Sequence, residues 1–250
     1  MNLVIDIGNT RIKAAIYQQK ILQHFFVFSY TQEMLQNAKF LLYLKQVQAS
    51  IISNVADKTI VSFIQQHLPA HTSIYEVSTQ LPLPFQIEYD TPHTLGSDRL
   101  AAVCGAADEF PAHHVLIIDA GTCIKYNILI KNTFKGGAIS PGLQMRYKAL
   151  SHYTQHLPLL QPSDKSIPFI GKTSTDNIHS GILNGCKAEM QYFIQQCMQQ
   201  TNEELKVILT GGDALFFEKL IERKVFLRPY LILNGLNVLL EYQKKMDIHK

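Results

Sequence analysis

The chain has 250 residues, enough for one large domain or two of about 125 residues each. Apolar residues make up 46% and charged residues 17%, which supports a sizeable core and argues against disorder. The net charge is only +3 and no dense Lys/Arg run accompanies it, so nucleic acid is not an expected partner; no apolar run is long enough to span a bilayer.

Asp6 and Asn9 interrupt the start of the chain before any leader-type apolar segment forms, so a soluble, cytoplasmic protein without membrane contact is expected. The four cysteines, Cys104, Cys123, Cys186 and Cys197, have no C-x-x-C spacing and are expected as reduced thiols.

In chain order, residues 3–7, 11–17 and 21–28 are rich in Val, Ile, Phe and Tyr with turn residues between them, and predict three strands. Helical spacing over 32–45 predicts a helix, followed by a strand at 49–53, a helix at 58–68 and a strand at 74–77. The Pro-rich stretch 81–97 predicts a long loop around an extended piece at 86–89, and 98–110 a helix. The second half repeats the plan. Strands are expected at 114–118, 123–130 and 133–139. A helix should follow Ser140-Pro141, with Ser140 as N-cap and Pro141 in the first helical position. After a loop over 157–173, a long helix is expected at 175–200, a strand at 206–209, a helix after Gly211-Gly212-Asp213, and a last helix at 230–245. The division falls near residue 112, giving domains 1–112 and 113–250.

Asp6-Ile7-Gly8 and Asp119-Ala120-Gly121 stand nearly half the chain apart. Each Asp ends an apolar run, and each Gly leads through small polar residues into a second strand. A carboxylate-plus-glycine hairpin repeated at that interval suggests two similar halves facing one cleft. The first copy continues through Asn9 and Thr10 to Lys13. Its glycine lets a ligand approach the backbone, whose N–H groups form an anion nest; Thr10 adds a hydroxyl donor and Lys13 a positive charge. Asp6 fits an anion site only with a cation between them, since like charges about 4 Å apart repel by about 4 kcal/mol at an effective dielectric near 20. Mg²⁺, held by carboxylate, water and phosphate oxygens, suits that position. Asp and Asn are also ordinary hairpin formers, so one copy alone decides nothing. The second copy, with Thr122, Ile124 and Lys125 matching the first, makes a coincidence of turns a poor explanation, although duplication can also be purely structural.

Gly211 and Gly212 follow a buried strand and leave room for a flat adenine or ribose, or serve packing alone. In Gly96-Ser97-Asp98-Arg99, either Ser97 or Asp98 caps the next helix. A carboxylate left over is a candidate base for a substrate hydroxyl, and Arg99 can clamp an anion bidentately. Gly136-Gly137 and Pro141-Gly142 form a further glycine-rich turn. No P-loop, dinucleotide fingerprint or metal-ligand motif occurs in the sequence.

Taken together, Asp6 to Lys13, Gly96 to Arg99, Asp119 to Thr122, Gly136 to Gly142 and Gly211-Gly212 resemble the type III pantothenate kinases over nearly the whole chain. The resemblance implies the acetate and sugar kinase/Hsp70/actin superfamily: an α/β protein of two ribonuclease H-like domains, a duplicated βββαβα plan with an ATP cleft between them. It implies ATP-dependent phosphorylation of pantothenate to 4′-phosphopantothenate, a homodimer, Mg²⁺, and a monovalent cation (K⁺ or NH₄⁺). By the same resemblance, Asp6, Gly8, Asn9, Thr10 and Lys13 bind the ATP phosphates and Thr122 touches ATP. Asp98 is the proton acceptor. Tyr89, Gly96, Ser97 and Arg99 contact pantothenate, as does Ser174, with Thr175 one step away. Asp119 is the monovalent-cation ligand. The chain departs from the family pattern at Lys125 and Asn127, where Thr and Asp are expected, and the Lys125 ammonium could replace the bound ion. A regulatory protein without activity on the same fold, and a sugar kinase of the superfamily, are the alternatives.

Overall fold

Three strands open the chain: β1 (Asn2–Ile7), β2 (Ile12–Gln18) and β3 (Ile21–Phe28). Every residue of β1 is buried, as for a strand covered on both faces, whereas β3 alternates exposed and half-buried positions like an edge. The computed structural model describes residues 1–29, 31–54, 58–163 and 168–248. The helix expected over 32–45 is two short ones, α1 (Thr31–Gln36) and α2 (Ala38–Leu44). Asn37 breaks it: its side-chain oxygen accepts the Phe40 N–H at 2.9 Å and starts the second helix as an N-cap. Next come β4 (Ala49–Asn54), α3 (Lys58–His67) and β5 (Ser73–Glu76). The strands form one sheet in the order β3-β2-β1-β4-β5, with β1 antiparallel to β2 and parallel to β4. Leu3, Ile5, Ile16, Phe40, Ile52 and Ile64 belong to its core. The loop beyond carries β6 (Gln86–Ile87), a 3-10 turn (Pro92–Thr94) and then α4 (Ser97–Glu109).

The second half repeats this layout. It contains β7 (His114–Ala120), β8 (Cys123–Ile130), β9 (Thr133–Pro141), α5 (Leu143–His152), α6 (Ser174–Thr201), β10 (Leu205–Thr210), α7 (Ala214–Glu218), β11 (Phe226–Leu227) and α8 (Leu231–Ile248). The strand order β6-β9-β8-β7-β10-β11 places the Asp-bearing strand inside the sheet, between β8 and β10 as β1 lies between β2 and β4, with β7 antiparallel to β8 and parallel to β10. Its core includes Leu116, Ile118, Tyr126, Met190, Leu209 and Phe217. Ser140 and Pro141 do not start α5. They end β9, Gly142 takes the N-cap position, and the Ser140 hydroxyl donates to Glu189 Oε1 at 2.5 Å instead. Of the loop expected over 157–173, residues 164–167 lie outside the described residues.

By contacts the chain divides into two units. One comprises Met1–Pro111, Asn132–Phe134 and Tyr230–Lys250; the other comprises Ala112–Lys131 and Lys135–Pro229. Division at the sequence repeat places 230–250 with the second half, whereas packing places it with the first. The reason is α8. A Cβ on Gly235 would come within 1.8 Å of the Ala101 carbonyl oxygen, and one on Gly105 within 2.7 Å of that of Leu231, so α8 and α4 cross backbone to backbone. Asn237 and Glu241 of α8 also accept from Asn2 Nδ2, at 2.9 and 2.6 Å.

Candidate active site

In the first unit, the β1–β2 hairpin places Asp6 opposite Lys13, and the Gly8 N–H closes the turn on the Arg11 carbonyl at 3.1 Å. Asn9 and Thr10 are exposed at the tip, whereas Asp6 is only 7% exposed. Parallel pairing of β1 with β4 sets Ser53 beside Asp6. The Ser53 hydroxyl donates to Asp6 Oδ1 at 3.1 Å and lies 3.0 Å from the Ser97 hydroxyl. The Asp6 hairpin and the start of α4 are thereby joined through a buried relay of three side chains. Ser53 was not singled out by sequence, because only the strand register brings it to Asp6.

Neither Ser97 nor Asp98 is the N-cap of α4; that position is Gly96, with no side-chain cap bond. Asp98 Oδ1 accepts the Arg99 N–H at 2.8 Å, and Gly96 leaves the space this carboxylate uses: a Cβ there would sit 2.6 Å from Oδ1. Arg99 is buried, with its guanidinium 5.5 Å from the centre of the Phe134 ring. Tyr89 lies on the same ring, nearly parallel at 2° with centroids 6.5 Å apart. Pairing of β6 with the first residues of β9 sets this arrangement, matching Gln86 to Thr133 and Ile87 to Phe134. Tyr89 and Arg99 are thus brought together by Phe134, which sequence reasoning missed; an isolated Phe in a strand carries no signal of such a role.

In the second unit, Asp119 lies opposite Lys125, whose Nζ donates to Asp119 Oδ2 at 3.0 Å. The turn closes from the Gly121 N–H to the Cys123 carbonyl at 3.0 Å, leaving Thr122 exposed. Two neighbouring turns hold it. The Gly142 N–H donates to the Thr122 carbonyl at 3.1 Å, and the Asp213 N–H to that of Ala120 at 2.9 Å. Gly211 has φ +97°, and a Cβ on it would be 2.2 Å from the Ala120 oxygen, so packing alone requires this glycine. Gly212 faces open space, with room for a ligand against its backbone. Burial pushes the half-buried Asp213 carboxyl up. Ser174 is the exposed first residue of α6, whose N-cap is Thr173, with the Asp176 N–H donating to its hydroxyl at 3.1 Å. Asp6, Gly8 to Lys13, Tyr89 and Gly96 to Arg99 therefore belong to the first unit, and Asp119, Thr122, Ser174, Gly211 and Gly212 to the second. Among the described residues no cluster of three or more His, Cys, Asp or Glu could form a metal cage, and no helix is long and apolar enough to cross a membrane.

Solved structures share this fold over nearly the whole chain. One titled a putative Baf family transcriptional activator from Campylobacter jejuni has a TM-score of 0.63 at 21% identity, covering 97% of this chain and 99% of that one. Another, a putative 2-dehydro-3-deoxygalactonokinase from Sinorhizobium meliloti, has a TM-score of 0.61 at 10% identity, with 97% and 99% covered. The chain shares its fold with these structures. The family model for type III pantothenate kinase matches residues 2–196. Type III pantothenate kinases from Cytophaga hutchinsonii and Christiangramia forsetii are 38% and 39% identical to the chain, covering 97% and 98% of it and 99% of each relative. The chain belongs to the type III pantothenate kinase family.

Proposed function

We infer that the protein transfers the γ-phosphoryl group of ATP to pantothenate, giving 4′-phosphopantothenate, the first step toward coenzyme A, and that it does so as a cytoplasmic homodimer. The observation that carries the site assignment is the relay Asp6–Ser53–Ser97, which ties the phosphate-type hairpin to the turn bearing Asp98. Phosphoryl transfer of this kind depends on positioning and charge neutralisation. Gly8 lets the phosphates approach the turn, Asn9 and Thr10 present backbone N–H groups and a hydroxyl to them, Lys13 adds charge, Thr122 donates a further hydroxyl, and Gly212 takes the flat nucleoside. The Asp6 carboxylate is an oxygen donor that suits Mg²⁺, which when bound neutralises charge on the phosphates. A monovalent cation at Asp119 fits less well, because Lys125 Nζ already lies 3.0 Å from Oδ2.

Asp98 Oδ1 is oriented by the Arg99 N–H, and this carboxylate takes the proton of the primary hydroxyl as its oxygen attacks. Arg99, steadied on Phe134, pairs with the pantothenate carboxylate, and Tyr89 with Ser97 and Ser174 lines its chain. An ADP-release assay across pantothenate, simple sugars and N-acetyl sugars tests the substrate: turnover with a sugar and none with pantothenate would overturn it. Asp98→Asn should lower kcat by roughly 10²–10⁴-fold with little change in the KM for ATP; near wild-type turnover rejects Asp98 as the base.

A further inference from the structure

The two Asp hairpins share a register but differ in how each carboxylate is satisfied. In the first, Asp6 lies across from Lys13 yet accepts from Ser53, and Lys13 makes no ion pair among the described residues. In the second, Asp119 lies across from Lys125 and is paired with it. Register alone therefore does not produce the ion pair. The Asp119–Lys125 contact is also well protected from solvent, with side-chain exposures of 9% and 22%, so salt screens it weakly.

We propose that the Lys125 ammonium is a built-in substitute for the monovalent cation at Asp119, so that this kinase works without K⁺ or NH₄⁺. The proposal rests on the kinase reading above. A lysine head is a tethered alkylammonium, with the charge of NH₄⁺ and three N–H donors. It sits on a strand directly hydrogen-bonded to that of Asp119, where directly opposed side chains of an antiparallel pair share a face. Being tethered, it does not dissociate, and its presence is independent of the salt in the medium. A free cation entering beside Asp119 would meet like-charge repulsion from Nζ in a partly buried place. Asp119 then keeps the role of an anionic anchor, while the positive charge next to the Gly121-Thr122 turn comes from the chain itself.

The test uses the full-length protein in KCl, NH₄Cl and choline chloride at equal ionic strength. Wild-type turnover of ATP and pantothenate is expected to agree within about twofold among the three salts, since only general screening differs. Lys125→Met is expected to lose on the order of 10²-fold in choline chloride and to recover in NH₄Cl or KCl, as removal of a fixed charge at a reacting site does. Melting temperature gives a second readout without turnover: wild type should show no K⁺-specific rise over choline, and the variant should show one. A wild-type rate or melting temperature that rises specifically with K⁺ overturns the proposal, even if the variant does not fold. So does a Lys125→Met enzyme as active in choline chloride as the wild type. Absence of pantothenate-dependent ADP release from the wild type in every salt is a failure of the kinase reading instead, and the wild-type melting comparison still judges Lys125.

Discussion

Ser53 offers a clean test of how the Asp6 hairpin is held, because the same strand contains its own control. The Ser53 hydroxyl is fully buried, donates to the Asp6 carboxylate at 3.1 Å and lies 3.0 Å from the Ser97 hydroxyl. Ser53→Ala removes a hydrogen bond to a charged group, which is worth about 1.5–3 kcal/mol when the acceptor stays buried. For a protein of this size that corresponds to a fall in melting temperature of about 3–12 °C. Ser50, three residues earlier in β4, is equally buried, and its hydroxyl has no hydrogen-bond partner among the described residues. Ser50→Ala deletes an unsatisfied polar atom and should leave stability unchanged or raise it. Thermal melts of both variants, with and without Mg·ATP, and the KM for ATP decide the matter. Ser53→Ala should also weaken ATP use, since the carboxylate loses a donor that helps orient it. If the two alanine variants melt together and bind ATP alike, the relay contributes nothing and the connection drawn between the hairpin and Asp98 is wrong.

Two other outcomes follow from packing and charge. Gly235→Ala should destabilise by about 1–3 kcal/mol or more, because its Cβ would meet backbone at 1.8 Å; urea unfolding checks this, and a neutral result denies the close crossing of α4 and α8. Burial alone would raise the Glu189 carboxyl, but hydrogen bonds from Ser140, Arg146 and Tyr126, at 2.5, 2.6 and 2.8 Å, outweigh it and hold the carboxyl below its ordinary value. A depressed folded value means that this stabilisation is full above the unfolded carboxyl range, near about 4.3, and is lost as pH falls through the lower folded value. Glu189→Gln should therefore be less stable than wild type at neutral pH, with the gap closing in acid; a gap independent of pH refutes the ionic role.

The features legible in the sequence were those encoded locally. Apolar runs ending at Asp6 and Asp119 specified two central strands, and the glycines behind them specified two hairpins, so the duplication could be read without a structure. What escaped depended on partners distant in the chain. Ser53 reaches Asp6 only through parallel pairing of β1 with β4, and Phe134 meets Arg99 and Tyr89 only because β6 pairs with the start of β9. Local signals also competed. Asn37 caps a new helix inside an apparently continuous apolar period, and Ser140, a good N-cap by type, is drawn instead to Glu189. The position of α8 was invisible for a related reason: the small residues that admit it, Gly105 and Gly235, look like helix-weakening glycines until the two helices are seen to cross.

The membership of α8 in the first unit has a consequence for biosynthesis. The helix that closes over α4 is synthesised after the whole of the second unit, so the first unit cannot complete its packing until the second has been made. A fragment truncated at the repeat boundary would present the Gly105 face of α4 to water, and chaperone dependence during synthesis is the cost such an interleaved chain carries.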